Sequence, residues 1–166
     1  MEYRELYDDE RNKVGKSILK GEKVPKGYYY NVVSISIEND EGKCLIQKRS
    51  EIKGGNWAFT SGHPKNGETS KEGIISEVKE ELGICLNESE FELHDVYKHK
   101  NYFMDIYVVK KDFSEEEIIL DKNEVVDWKW MSQKEIEHFI ETEKMVRSVG
   151  IRYKMFLSHS YDHRVV

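Results

Sequence analysis

Residues 62–84 read GHPKNGETSKEGIISEVKEELGI, and the fold of this segment decides how the rest of the chain is read. Thr69-Ser70-Lys71-Glu72 has the S/T-x-x-E form of a capping box, and Gly83 stands where a helix end calls for a left-handed residue. The segment therefore predicts a helix over about residues 70–82. At about 100° per residue, Ile74, Ile75, Val78 and Leu82 share one arc, the stripe that would be buried. Glu77, Glu80 and Glu81 fall beside that stripe instead of pointing straight out to water. Like charges three and four residues apart repel by a few tenths of a kcal/mol when exposed, and by more where water is partly excluded. Such a stripe is comfortable either as a solvated face offset by Lys71 and Lys79, or around a bound cation. The loop before it, Gly62 to Glu68, adds a fourth carboxylate and favours the second reading.

Working upstream, residues 28–38 (YYYNVVSISIE) are β-branched and aromatic, Asn39-Asp40-Glu41-Gly42 makes a turn, and residues 43–49 (KCLIQKR) return as a second strand. A glycine-containing loop over residues 52–56 leads to a short apolar piece, 57–60. Residues 1–27 are polar and end in a turn-rich KVPKG, which predicts a leader or a short hairpin packed on the domain. Downstream, residues 91–98 and 102–110 form an antiparallel pair around Lys100-Asn101, and residues 125–131 a further strand. Ser132 caps a helix to about Ile140, a last helix runs over about 143–157, and the polar end from Ser158 is frayed. Mixed strands with one early and two late helices predict a single α/β domain over residues 1–166, its sheet covered by helices on both faces.

The 166 residues carry a formal charge of −6, with both signs mixed along the chain. That surface does not attract extended nucleic acid or an anionic membrane by general electrostatics, so a phosphorylated ligand would have to be neutralised locally. The start lacks a signal-peptide pattern and no apolar run spans a bilayer, which predicts a cytoplasmic location. Cys44 and Cys85 sit among aliphatic residues without a CxxC pair and are expected to be reduced, structural thiols. The histidines have no zinc-site spacing.

The segment 62–84 resembles the Nudix box, G-x5-E-x7-R-E-U-x-E-E-x-G-U with U aliphatic. Gly62, Glu68, Glu77, Val78, Glu80, Glu81, Gly83 and Ile84 stand at matching positions, and Ser76 replaces the family's arginine. The tract EGKCLIQKRS followed by NWAFTSGH is similar to superfamily members close to isopentenyl-diphosphate isomerases. The resemblance implies a Nudix-type α/β/α sandwich with a mixed sheet. It also implies cleavage of a nucleoside diphosphate linked to another moiety, or a similar small-molecule diphosphate, by attack of water on phosphorus. Because a diphosphate repels a hydroxide-like nucleophile, such chemistry calls for a hard divalent cation, Mg2+ with Mn2+ as an alternative, held by oxygen ligands.

By resemblance, Glu80 and Glu81 are metal ligands, Glu77 is a ligand or the group that deprotonates water, and the Ser61 carbonyl joins the metal shell. Glu68 and Gly62 support these groups. Glu124, before the strand ending in Trp-Met-Ser, is a further ligand or general base, with Asp121 and Glu117 as weaker candidates. Arg49, Lys48, His63 and Lys65 are candidate phosphate partners, and Trp57 and Phe59 either stack on a base or belong to the core. Ser76 cannot pair with Glu68 as an arginine would, which leaves Lys65 or Lys79 as substitute cations. It also keeps open a module that senses a nucleotide without hydrolysing it. An isomerase needs a cysteine where Ser61 stands. The expected assembly is a monomer or homodimer.

Overall fold

The computed structural model describes residues 1–148 together with Gly150 and Tyr153. Strand β3 (Tyr30–Glu38) is its axis. It runs parallel to β8 (Tyr102–Lys110) in unbroken register from Tyr30↔Tyr102 to Glu38↔Lys110, and β7 (Glu92–Lys98) lies antiparallel to β8 at the edge. Beyond the turn at Asn39–Gly42, β4 (Cys44–Arg49) pairs with β3 only at Glu38↔Cys44. The two strands then part. The hairpin expected from the sequence opens because β6 (Thr60–Gly62) enters beside β3, pairing Val33↔Gly62 to Ile35↔Thr60. Strands β5 (Trp57–Ala58) and β9 (Val125–Met131) take up the two edges of β4. The result is a seven-stranded mixed sheet.

Helix α1 (Ser70–Leu82) starts with the reciprocal Thr69/Glu72 capping box and ends at Gly83 with φ 70°, both as the sequence predicts. Its Ile74, Val78 and Leu82 are wholly buried against Val33, Ile35, Leu45 and Tyr107 on one face of the sheet. Each such burial contributes roughly 2 kcal/mol. Ile75 is only partly buried. On the opposite face, Cys44, Ile46, Ala58 and Met131 pack on Ile136 of α2 (Gln133–Glu141), which Ser132 caps. A sheet between helices is the α/β/α sandwich expected. The last predicted helix lies mostly outside the described residues, as does the end from Ser158; Arg147, Ser148, Gly150 and Tyr153 have helical backbone. No helix among the described residues is long and apolar enough to cross a membrane.

Residues before the sheet form a hairpin, β1 (Tyr3–Tyr7) and β2 (Lys13–Leu19). It is fastened at two points. Tyr7 and Tyr29 exchange backbone hydrogen bonds of 2.8 and 2.9 Å. At the hairpin turn, Arg11 reaches Asp105 on β8 with Nη2 donating to Oδ2 at 2.5 Å. The same carboxylate accepts from the Ser70 hydroxyl, which in turn lies 2.8 Å from the Tyr107 hydroxyl. The Asp105 side chain is 3% exposed. A buried carboxylate stripped of its cation keeps its desolvation cost without compensation. Arg11→Met is therefore expected to lower unfolding free energy by about 3 kcal/mol, the lower end of the range for broken buried pairs, because Arg11 itself stays partly exposed. Urea titration checks this, and a loss below about 1 kcal/mol would assign the pair no anchoring role.

Candidate active site

Where β6 fills the gap between β3 and β4, its end meets the acidic side of α1. Gly62 lies so close to Glu77 that an added Cβ would fall 2.1 Å from the Glu77 carboxyl carbon, and the His63 amide donates to Glu77 Oε1 at 3.4 Å. One turn along the helix, Glu81 is held from β4. Gln47, 3% exposed, donates from Nε2 to Glu81 Oε2 at 2.6 Å and accepts from the Thr60 hydroxyl at 2.9 Å. Gln47 thus ties β4 and the inserted strand β6 to the box helix. The sequence signal for it was a lone polar residue in the apolar strand CLIQ, on the same face as Leu45.

The replacement of the box arginine has a local solution. Ser76 Oγ donates to Glu68 Oε1 at 2.7 Å and the Lys65 amide donates to Oε2 at 2.8 Å, so Glu68 is oriented by a hydroxyl and a backbone N–H. The Lys65 ammonium is turned to Glu80 instead, and Lys79 is exposed. Glu80 is paired with Lys65, and no three His, Cys, Asp or Glu side chains among the described residues converge on a common point.

A cavity of about 240 Å³ opens beside Glu81. Its polar end is formed by Glu81, Glu124, Arg49, Gln47, Ser61 and Gly62, and its other end by Tyr30, Tyr102, His63 and Phe59. Glu124 is held by Lys53 at 3.2 Å, and its carbonyl accepts from the Ser50 amide at 2.9 Å. Arg49 faces the cavity, whereas Lys48, one residue earlier on the strand, is not among its walls. Asp121 caps its own turn through the Asn123 amide, and Glu117 caps a 3-10 turn, so neither reaches the cavity. Phe59 is both core, stacked on Tyr153 with ring centroids 5.4 Å apart, and cavity wall; Trp57 packs edge-on to Phe139. Both cysteines are free thiols, Cys44 buried in the core on the α2 side and Cys85 exposed.

Charge is concentrated here without matching solvent. Burial, and then the neighbouring charges of Glu81 and Glu80, push the Glu77 carboxyl up to about 7. Burial, aided by Glu124, does the same to Glu81, to about 7. Burial and the nearby Arg4 and Lys20 hold the His63 imidazole down at about 3. His63 is therefore neutral near pH 7 and offers a phosphate a hydrogen bond, not a charge. Carboxylates raised by one another and by burial, in an all-oxygen donor set, fit a hard divalent cation, which would supply the missing positive charge.

Residues 28–149 match the family model described as the NUDIX domain. An uncharacterized Nudix hydrolase of Listeria monocytogenes is 33% identical over 141 residues, covering 82% of this chain and 83% of the relative. Among solved structures, DR0079 of Deinococcus radiodurans superposes with a TM-score of 0.71 at 20% identity, over 87% of this chain and 92% of that one. A bifunctional NMN adenylyltransferase/ADP ribose pyrophosphatase of Francisella tularensis, complexed with AMP and a manganese ion, superposes with a TM-score of 0.63 at 18% identity, over 84% of this chain and 43% of that one. Two likenesses at such identities speak for the fold alone. With the family model spanning most of the sequence and a relative 33% identical over 141 residues, the chain belongs to the Nudix hydrolase family.

Proposed function

We propose that this protein is a Mg2+-dependent pyrophosphohydrolase that cleaves a small diphosphate-containing metabolite, a nucleoside diphosphate joined to another moiety or a similar compound. The observation that carries the reading is the set of half-buried carboxylates on α1, Glu77 and Glu81, beside a cavity that also holds Glu124 and Arg49. Glu77, Glu80, Glu81 and the Ser61 carbonyl would hold the cation. Bound there, a divalent ion cancels phosphate charge and acidifies water.

The remaining roles fall to the chain's own groups. Arg49 binds the phosphate nearer Glu81 through its guanidinium fork. Glu124, facing Glu81 and steadied by Lys53, takes the proton of the attacking water. Gln47 fixes the rotamer of Glu81, and Ser76 with Glu68 braces the loop that carries Gly62. Tyr30, Tyr102 and Phe59 exclude water and offer flat surfaces to the organic part of the substrate. Hard oxygen donors favour Mg2+, and Mn2+ is expected to substitute. At about 240 Å³ the cavity suits a small molecule better than a nucleic-acid strand. Ser61 in place of a cysteine, with no cysteine among the cavity residues, speaks against isomerase chemistry.

The test is a panel of nucleoside diphosphate sugars, dinucleoside polyphosphates, nucleoside triphosphates and prenyl diphosphates with Mg2+ or Mn2+ in 18O-labelled water. Phosphorylated products carrying the label are expected; binding of these compounds without product over hours would favour a sensing module. The raised carboxyls also set a pH dependence of stability. Unfolded, Glu77 and Glu81 lose their protons near 4.5; folded, near 7. The folded chain binds more protons across that window, so without metal its stability falls as pH rises from about 4.5 to about 7 and then levels off. Thermal melts in EDTA should show this decline from these groups, and melts in excess Mg2+ should recover most of it above pH 7.

A further inference from the structure

The hairpin β1–β2 lies before residue 28, where the matched Nudix domain begins, yet its side chains reach the box segment on either side of Glu68. Asn66 Nδ2 donates to Ser17 Oγ at 3.2 Å, and Arg11 is joined to Ser70 through the Asp105 carboxylate to which both donate. Hairpin and box loop also wall a shared cleft of about 10 Å³, the space of a single water. Its walls include Arg4, Glu5, Asn31, Lys65 and Glu68. Three of these are already matched: Glu5 to Lys13 at 3.1 Å, Asn31 to the Arg11 guanidinium at 3.3 Å, and the Lys65 ammonium to Glu80. The other two are not. Glu68 accepts from the Ser76 hydroxyl and the Lys65 amide, two neutral donors for a full charge spread over about four lone-pair sites. Arg4 has its guanidinium carbon 4.7 Å from the Tyr30 ring centroid, and its Nε is buried without a hydrogen-bond partner.

We propose that Arg4 is a positioning residue, which holds the Glu68 carboxylate through one water seated in this cleft and so ties the box loop to the hairpin. The Arg4 Nε–H donates to the water, and the water donates to a Glu68 oxygen, which gives a buried water the two polar partners it needs. A buried N–H without an acceptor costs stability, and so does a half-buried carboxylate without a cation; one bridge offsets both. The arrangement also accounts for Ser76. A serine orients Glu68 but brings no charge, and the hairpin supplies the charge from outside the box. Arg4 is not among the walls of the cavity beside Glu81, so it acts through Glu68 and the loop that carries Gly62, against which Glu77 lies. The inference deepens the hydrolase reading and rests on it only for the effect on turnover.

A crystal structure of the full chain is expected to show one water within about 3.2 Å of both Arg4 Nε and a Glu68 oxygen; the lack of a shared water overturns the proposal. A double-mutant cycle reads the same link in solution, with neither substrate nor metal. Arg4→Met is expected to lower the melting temperature by about 3 °C, and by less than half as much in a Glu68→Gln background. Equal losses in the two backgrounds overturn the proposal as well. In turnover, Arg4→Met should lower kcat/KM about 10-fold, mostly through kcat, and Arg4→Lys should stay nearer wild type. Ser76→Arg, which sets a guanidinium beside Glu68 from the helix, should restore most of the activity lost in Arg4→Met. Damage to hairpin packing alone would not be repaired from α1, so a Ser76→Arg substitution that restores nothing counts against the bridge. The two readings fail separately. If no diphosphate is turned over, the hydrolase reading falls while the water and the melting-temperature cycle still decide the role of Arg4; if turnover proceeds and the cycle shows equal losses, only this inference falls.

Discussion

Glu81→Gln is expected to lower turnover by about three orders of magnitude while leaving the fold intact. The side chain stands at the junction of α1, β4 and the cavity, with Gln47 fixing one oxygen at 2.6 Å and Glu124 across from it. Glutamine keeps the volume, and its amide oxygen can still accept from Gln47, so packing is conserved. What disappears is the charge. In EDTA at pH 8 the same substitution should raise the melting temperature, because a carboxylate that resists ionisation up to about 7 is replaced by a neutral group. Added Mg2+ should then stabilise the variant less than wild type. Loss of activity, gain of metal-free stability and a weaker response to Mg2+ form a signature that mere unfolding cannot imitate. Turnover within about tenfold of wild type would remove Glu81 from the site.

Much of this arrangement is legible in the sequence because it is local. The capping box at Thr69, the left-handed Gly83 and the apolar stripe of α1 each depend on residues within a few positions, and all three are found where the periodicity puts them. Of the carboxylates that the resemblance singles out, Glu81 and Glu124 line the cavity. What escapes is non-local. Nothing within residues 28–49 says that β3 and β4 will part after one paired residue to admit β6, since that choice is made by pairing across the chain. Gln47 escapes with it, because its partners Thr60 and Glu81 lie 13 and 34 residues away.

The N-terminal hairpin is legible only as a leader or a hairpin for a different reason. It packs along one edge, burying Leu6 and Tyr7 and little else, so its alternation is weak. Arg4 and Arg11 then look like ordinary surface charge until Tyr30 and Asp105 are seen beneath them. Ser76 shows the converse. A departure from the family pattern that reads as a defect is accommodated by a short hydroxyl and a backbone amide, both on Glu68. The same loop and helix positions thus keep the glutamate oriented without a guanidinium.

Gly62→Ala is expected to cut turnover by about 10²-fold or more with little loss of stability. The backbone at Gly62 does not have a positive φ, so alanine is not excluded by conformation. Space decides instead. The new Cβ would lie 2.1 Å from Glu77 Cδ and 2.2 Å from Oε1, far inside contact distance. The obstacle is the free end of a flexible side chain, so the cheapest response is for the carboxylate to swing away, giving up the His63 amide and its place beside Glu81. Gly73 provides the contrast: a Cβ there would meet the Pro64 Cα at 2.8 Å, a backbone atom that cannot step aside, and the cost falls on folding. At Gly62 the cost falls on the position of one carboxylate. A parallel measurement of melting temperature and kcat/KM separates the two, and a Gly62→Ala protein that retains near-wild-type turnover would show that Glu77 need not lie against the β6 backbone to serve the reaction.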